Sequence, residues 1–98
     1  MKKNIINQRD KNGKPHGLWE FYFLSGQLWR KGEYRHGKLH GLWEYYWPNG
    51  HLTLKGEYSY GEHNGLWEDY WSDGKLSRKG EYKQGKNIGL WYYSGYDK

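Results

Sequence analysis

Apolar and polar positions along the chain recur on a fixed 24-residue period, not at helical spacing. The run Gly41-Leu42-Trp43-Glu44-Tyr45-Tyr46 leads through Trp47-Pro48-Asn49-Gly50-His51 into Leu52-Thr53-Leu54-Lys55-Gly56-Glu57-Tyr58. The same string starts at Gly17 (GLWEFYFLSGQLWRKGEY) and at Gly65 (GLWEDYWSDGKLSRKGEY), and a shortened one starts at Gly89 (GLWYY). Self-similarity at one period, without insertion, marks a tandem array of supersecondary units. Within each full copy, two runs rich in aromatics and Leu flank Asn49-Gly50, Ser25-Gly26 or Asp73-Gly74. A pair of this kind predicts a β-hairpin closed by a type I′ turn, which needs positive φ at both central residues.

Pairing residues across a two-residue turn sets the expected register. Trp47 then faces Leu52, Tyr45 faces Leu54 and Trp43 faces Gly56 on one side, while Glu44 faces Lys55 and Tyr46 faces Thr53 on the other. The neighbouring copies agree: Glu20 meets Lys31, Glu68 meets Lys79, and where Tyr45 becomes Asp69 its partner Leu54 becomes Arg78. A slip by one residue would set Trp43 against Lys55 and move every side chain to the other face. Gly32, Gly56 and Gly80 are weak strand residues. Opposite a Trp, each leaves a slot for the indole.

Three hairpins are expected at about 18–34, 42–58 and 66–82, joined by loops at 35–40 and 59–64. Residues 4–10 fall in phase with a second strand and read as a polar capping strand, since terminal units of an array are atypical. Leu90 to Tyr93 supply the first strand of a fourth unit. The expectation is an all-β, single-layer antiparallel meander of tandem β-hairpin repeats with about eight strands. It forms one domain over 1–98: cap and loop 1–16, repeats 17–40, 41–64 and 65–88, and a truncated repeat 89–98. One face carries Trp19, Phe21, Phe23, Trp43, Tyr45, Trp47, Trp67, Trp71 and Trp91. The other carries Leu18, Leu42, Leu66, Leu90, Tyr22, Tyr46 and Tyr70 among the Glu-Lys pairs.

Composition supports strands over helices: seven Trp, eleven Tyr and fifteen Gly stand beside no Cys, Ala or Val. No run is long and apolar enough to span a membrane as a helix, and Lys2-Lys3 precede no apolar leader segment. Absence of Cys fits a reducing compartment, so a cytoplasmic location is expected. The net charge of +5 is uneven. Residues 1–16 hold Lys2, Lys3, Arg9, Lys11 and Lys14 against Asp10, and the remainder is nearly balanced. A basic strip on a neutral body argues against nucleic acid as the partner.

The reactive side chains point away from catalysis. Glu20, Glu44 and Glu68 recur with a Lys opposite each, as a surface ladder does. His36 and His40 lie on a loop without a carboxylate or Cys cluster, a poor metal set. Ser25, Ser59, Ser72, Ser77 and Ser94 lack a His-Asp arrangement, and every Gly already has a place in the repeat. No catalytic residue, metal or cofactor is expected. Trp19, Trp43, Trp67 and Trp91 read as an internal stack. Phe21, Phe23, Trp29, Tyr45, Trp47 and Trp71 vary between copies and read as candidates to reach a partner, with Arg30 and Arg78 beside them. Large rigid aromatics are favoured at interfaces.

The string Gly41, Trp43, Tyr46, Gly50, Leu52, Gly56, Tyr58, Gly61 resembles the bacterial variant of the MORN repeat, and the match recurs over Gly17–Gly37 and Gly65–Gly85. The resemblance implies β-hairpins in one elongated sheet. It also implies an antitoxin-like or immunity function, a label borne by relatives of the variant, while other MORN proteins are scaffolds or proposed phospholipid binders. Trp29, Trp47 and Trp71 are additions to the pattern. The leading expectation is a non-catalytic module that docks a protein partner, a toxin or effector to be neutralised, on its aromatic face. Sequestration of a small anionic aromatic ligand such as a nucleotide, docking on anionic lipid through the basic strip, and homo-oligomerisation through the same face are the alternatives.

Overall fold

The structure, a computed structural model, describes residues 6–94. Lys2 and Lys3 of the basic strip, Asn4 and Ile5 of the expected cap, and the last four residues of the fourth unit lie outside them. Seven strands form one antiparallel sheet in sequence order: β1 Gly17–Tyr22, β2 Leu28–Arg35, β3 Lys38–Tyr46, β4 Leu52–Ser59, β5 Glu62–Tyr70, β6 Leu76–Lys83 and β7 Lys86–Tyr93. The fold is the open, all-β meander that the repeat implies, with seven strands among the described residues where about eight were expected in the whole chain.

Among the described residues, the expected cap forms no strand. Residues 6–16 make a single bridge, Arg9 to Pro15. Asp10 turns the chain by accepting the N–H groups of Asn12 and Lys14 on Oδ1, at 2.8 and 3.0 Å. Its other oxygen meets His36 Nδ1 at 2.7 Å, and that contact leads the effects that hold the Asp10 carboxyl down at about 2. A side chain also stands in for strand backbone: Asn7 Oδ1 accepts the Glu20 N–H at 2.9 Å, while the Asn7 N–H reaches the Leu18 carbonyl at 2.8 Å. The β1 edge is thereby covered without a ladder, one of the ways sheets protect an edge.

The two kinds of turn are exchanged relative to expectation. Across the hairpin Tyr46 pairs with Leu52, not Thr53, because the register shifts after Tyr45. The Gly50 N–H reaches the Trp47 carbonyl at 2.9 Å, and the Trp47 N–H reaches the His51 carbonyl at 2.8 Å. Only Gly50 has positive φ, +93°. This is a type I turn followed by a left-handed Gly, the usual three-residue hairpin loop. Asn49 keeps negative φ because its own Oδ1 accepts the His51 N–H at 2.9 Å, as Asp73 does for Lys75 at 3.0 Å. The type I′ geometry lies in the segments expected as loops. His36-Gly37, Tyr60-Gly61 and Gln84-Gly85 all have positive φ and close two-residue turns inside Arg35–Lys38, Ser59–Glu62 and Lys83–Lys86. A non-Gly residue with φ near +50° is uncommon. Here each N–H is held by the preceding unit: His36 by His16 Nδ1 at 3.1 Å, Tyr60 by His40 Nδ1 at 3.5 Å, Gln84 by Asn64 Oδ1 at 3.3 Å.

One face carries the core. Trp43 is fully buried, Trp67 is 4% and Trp19 9% exposed, although the sheet is one layer thick. Burial comes from the side. A Cβ on Gly32 would overlap the Trp43 ring, one on Gly56 the Trp67 ring, and one on Gly80 the Trp91 ring. Each indole therefore lies over the glycine of the preceding unit, whereas the expected slot was within the hairpin, Trp43 on Gly56. The cause is a bulge: Gly32 pairs with Trp43 but Glu33 pairs with His40, leaving Gly41 and Leu42 extra, with Gly41 at φ +75°. The indole N–H groups of Trp43 and Trp67 then reach the Glu33 and Glu57 carbonyls at 2.8 and 3.0 Å, and that of Trp19 reaches the Gln8 carbonyl at 2.9 Å. Tyr34 stands edge-on to both Trp19 and Trp43, and Tyr82 to both Trp67 and Trp91.

Candidate binding face

The opposite face holds the charged ladder, and its register is continuous: Glu20, Lys31, Glu44, Lys55, Glu68 and Lys79 are successive cross-strand partners. The Lys-Glu contacts of this ladder run between hairpins, Lys31 to Glu44 at 3.8 Å and Lys55 to Glu68 at 3.6 Å, and not within them as expected. Tyr46 and Tyr70 donate to Glu44 and Glu68 at 3.2 and 2.9 Å. These carboxylates are engaged in holding neighbouring units together. Partly exposed Lys-Glu pairs contribute little each, about 0–1 kcal/mol.

On the indole face one cross-strand row departs from the repeat: Phe21, Arg30, Tyr45, Leu54, Asp69, Arg78, Tyr93. The strings on its side away from the hairpin turn do not vary, whereas Trp29, Thr53 and Ser77 and Phe23, Trp47 and Trp71 toward the turn do. Gly, Leu and Trp at 17–19, 41–43 and 65–67, and Lys-Gly-Glu-Tyr at 31–34, 55–58 and 79–82, are the same in all three full units. Trp29 joins this row because the register shift between Phe21 and Tyr22 makes it the extra residue of a bulge. Its ring is 40% exposed and lies 6.1 Å from Phe21 and 6.2 Å from Phe23.

Arg30 is surrounded by rings. Its guanidinium carbon lies 4.2 Å from the Phe21 ring, 4.8 Å from Trp29, 5.6 Å from Trp43 and 5.9 Å from Tyr45. Such contacts contribute about 0.5–2 kcal/mol, more when desolvated. Its Nε is sealed from solvent and has no hydrogen-bond partner among the described residues. Arg78, at the same repeat position, differs: its Nε donates to Asp69 at 2.6 Å while its guanidinium lies 5.2 Å from Trp91. Tyr45 and Tyr58 approach each other through their hydroxyls at 3.4 Å, and burial pushes the Tyr58 phenol well above its ordinary range.

Of the expected partner residues, the structure brings Phe21, Phe23, Trp29, Arg30 and Tyr45 into one cluster. Trp47 and Trp71 sit apart at the later hairpin turns and are half-buried. Arg78 is neutralised by Asp69. The histidines have structural places. His16 and His40 bind turn N–H groups, and His63 packs between Tyr58, Trp67 and Tyr82, where burial lowers its imidazole. Among the described residues no group of three or more His, Cys, Asp or Glu could hold a metal ion.

Sequence reading missed one surface feature. Leu18, Leu42, Leu66 and Leu90 on the ladder face are 41, 52, 57 and 100% exposed. A groove of about 130 Å³ lies between Leu42 and Leu66, and one of about 290 Å³ lies between Leu66 and Leu90. Their floors are Gly56 and Gly80, the glycines that seat indoles on the other side. The available signal was a Leu directly after the first Gly of every copy, on the face without a glycine-seated core.

No curated protein and no solved structure matches the chain. The MORN repeat variant family matches it three times, over residues 15–36, 39–60 and 64–84, which is well over half its length and in phase with the three hairpins. The glycine-seated tryptophans and the 24-residue hairpin unit are thus the repeat of a known kind, and the chain belongs to the MORN repeat variant family.

Proposed function

We propose that this protein is a non-catalytic binding module that docks a protein partner on the indole face, through Phe21, Trp29, Arg30 and Tyr45. One observation carries the reading: in the first unit this row gathers Phe21, Trp29, Arg30 and Tyr45 into one aromatic and cationic cluster, where the second unit has Leu54 and the third the Asp69-Arg78 pair. A repeat array requires its seats, turns and ladder to recur. It does not require Phe21, Tyr45 and Asp69 to differ, or Arg30, Leu54 and Arg78. A cluster of rings and an arginine that only one unit carries, beside a half-exposed Trp, fits a surface shaped by a partner. The glutamates that could serve a reaction are engaged in the ladder. Resemblance to proteins labelled antitoxin or immunity proteins makes a toxin or effector the first partner to test, in the reducing compartment that the lack of Cys favours.

A small anionic aromatic ligand is the second reading, favoured by the uncompensated charge of Arg30 among rings. The lipid reading is weaker. Arg9 donates to the Gly13 carbonyl at 2.8 Å and lies over Trp19 at 5.2 Å, so part of the basic strip is engaged in the cap. A photo-crosslinking amino acid at position 29, with one at position 42 as the control for the ladder face, tests the proposal in cells of the source. A discrete protein adduct from position 29, lost on Tyr45→Ser and absent from position 42, supports it. Adducts from position 42 alone would move the site to the leucine face.

A further inference from the structure

We propose that Arg30 is a preformed seat for a carboxylate carried by the partner beside an apolar or aromatic group. The inference rests on the docking face described above and names its anchor.

The third unit shows what the seat looks like when filled from within. Arg78 occupies the repeat position of Arg30, and its cross-strand neighbours are Asp69 and Tyr93. Asp69 occupies the repeat position of Phe21 and binds Arg78 at 2.6 Å. The cross-strand neighbours of Arg30 are Phe21 and Tyr45, neither of which can accept its charge as a carboxylate does. The sheet supplies no substitute. Glu20 and Glu44 next to that row alternate onto the ladder face. The charge is not needed for packing either. Leu54 holds the same position in the second unit, where Trp67 is buried as well as Trp43 is within a few per cent.

A guanidinium held between Phe21 and Trp29 has lost most of its rotamer freedom before any ligand arrives. Its fork then offers paired N–H donors to an oxyanion with little further ordering. Trp29 at the rim favours an acid flanked by apolar side chains. A phosphate shares the oxyanion chemistry, but the internal occupant of the equivalent seat is a carboxylate.

The test is an NMR titration of the full chain that follows the Arg30 Nε–H and Trp29 indole signals. The probes are the capped peptide acetyl-Leu-Glu-Phe-Glu-Leu-amide, its Gln counterpart, and inorganic phosphate. Saturable shifts are expected with the Glu peptide, at least tenfold weaker binding with the Gln peptide and with phosphate, and loss of binding in Arg30→Leu and Phe21→Asp. Both variants place a residue that another unit already carries at that position, so both should keep the wild-type circular dichroism. Arg78→Leu should leave the affinity within about twofold. Equal binding of the Glu and Gln peptides, or binding that survives Arg30→Leu and Phe21→Asp, would overturn the seat. Phosphate matching the Glu peptide would overturn its assignment to carboxylates. If these fail while position 29 still crosslinks a protein, the docking face stands and its anchor lies elsewhere. If crosslinking fails and the titration succeeds, the seat serves a ligand other than a docked protein.

Discussion

At the scale of single residues, the glycines of the Lys-Gly-Glu strings decide more than any polar group. Gly56 has Trp43 as one cross-strand partner and Trp67 as the other, and it is the Trp67 ring that lies nearest the space a side chain would need. Gly56→Val should therefore destabilise the chain by about 3–5 kcal/mol, the scale of losing a packed Trp. The seat can be identified by double variants in urea unfolding. Trp67→Ala should recover part of the loss in Gly56→Val, because it vacates the clash, and Trp43→Ala should add to it. The reverse pattern would return the slot to the hairpin. His63 gives a second test. Burial lowers its imidazole from the ordinary 6.5, so the folded chain favours the neutral ring. Its contribution to stability is complete above about pH 6.5 and is lost as pH falls below that toward the folded value. Thermal unfolding should show a decline between pH 7.5 and 5 that shrinks in His63→Leu, the residue found at the equivalent position, Leu39.

At the scale of elements, the hairpin is less a closed unit than its sequence suggests. Within-hairpin pairing was legible, since Trp43–Gly56, Glu44–Lys55 and Tyr45–Leu54 follow from charge and size complementarity and are the pairs found. The closing turn was not legible from Asn49-Gly50 alone. Two geometries accept that dipeptide, and the Asn49 side chain selects between them by capturing the His51 N–H. The type I′ turns were hidden for a related reason. Their signal is a Gly after an unremarkable residue, and the support for positive φ comes from His16, His40 and Asn64 one unit earlier. The ladder carries the same lesson, because Lys55 has Glu44 and Glu68 at equal register but touches Glu68. Lys55→Gln should cost under about 1 kcal/mol for so exposed a pair. Double-mutant cycles should give a larger coupling of Lys55 with Glu68 than with Glu44. Equal couplings would mean that the ladder does not bind one hairpin to the next.

At the scale of the whole molecule, the contacts between units make the array divisible, and this permits a test of fold and site together. Gly41 and Gly65 both start a Gly-Leu-Trp-Glu string, and the turn before each is held by the same kind of lateral bond. Removing residues 41–64 joins His40 to Gly65 without changing the phase of any seat: Trp67 comes to lie on Gly32, and Glu68 comes to face Lys31. Stability of such an array is close to a sum of unit and neighbour terms. The shortened chain should unfold cooperatively at a lower temperature, with a smaller urea m-value because less surface is exposed. The indole-face row changes more than the fold does. Arg30 now has Tyr45 beside it on β3; in the shortened chain that place passes to Asp69, whose carboxylate already binds an arginine across a strand pair. Arg30 and Arg78 would then share one acid, and the open seat would be partly filled from within. The expected outcome is a folded protein whose Arg30 Nε–H signal is displaced and whose affinity for the Glu peptide falls at least fivefold. Restoring an uncharged neighbour with Asp69→Tyr in the shortened chain should bring the affinity back. A shortened chain that folds and binds the peptide as the full one does would show that the charge of Arg30 is not what recognises it.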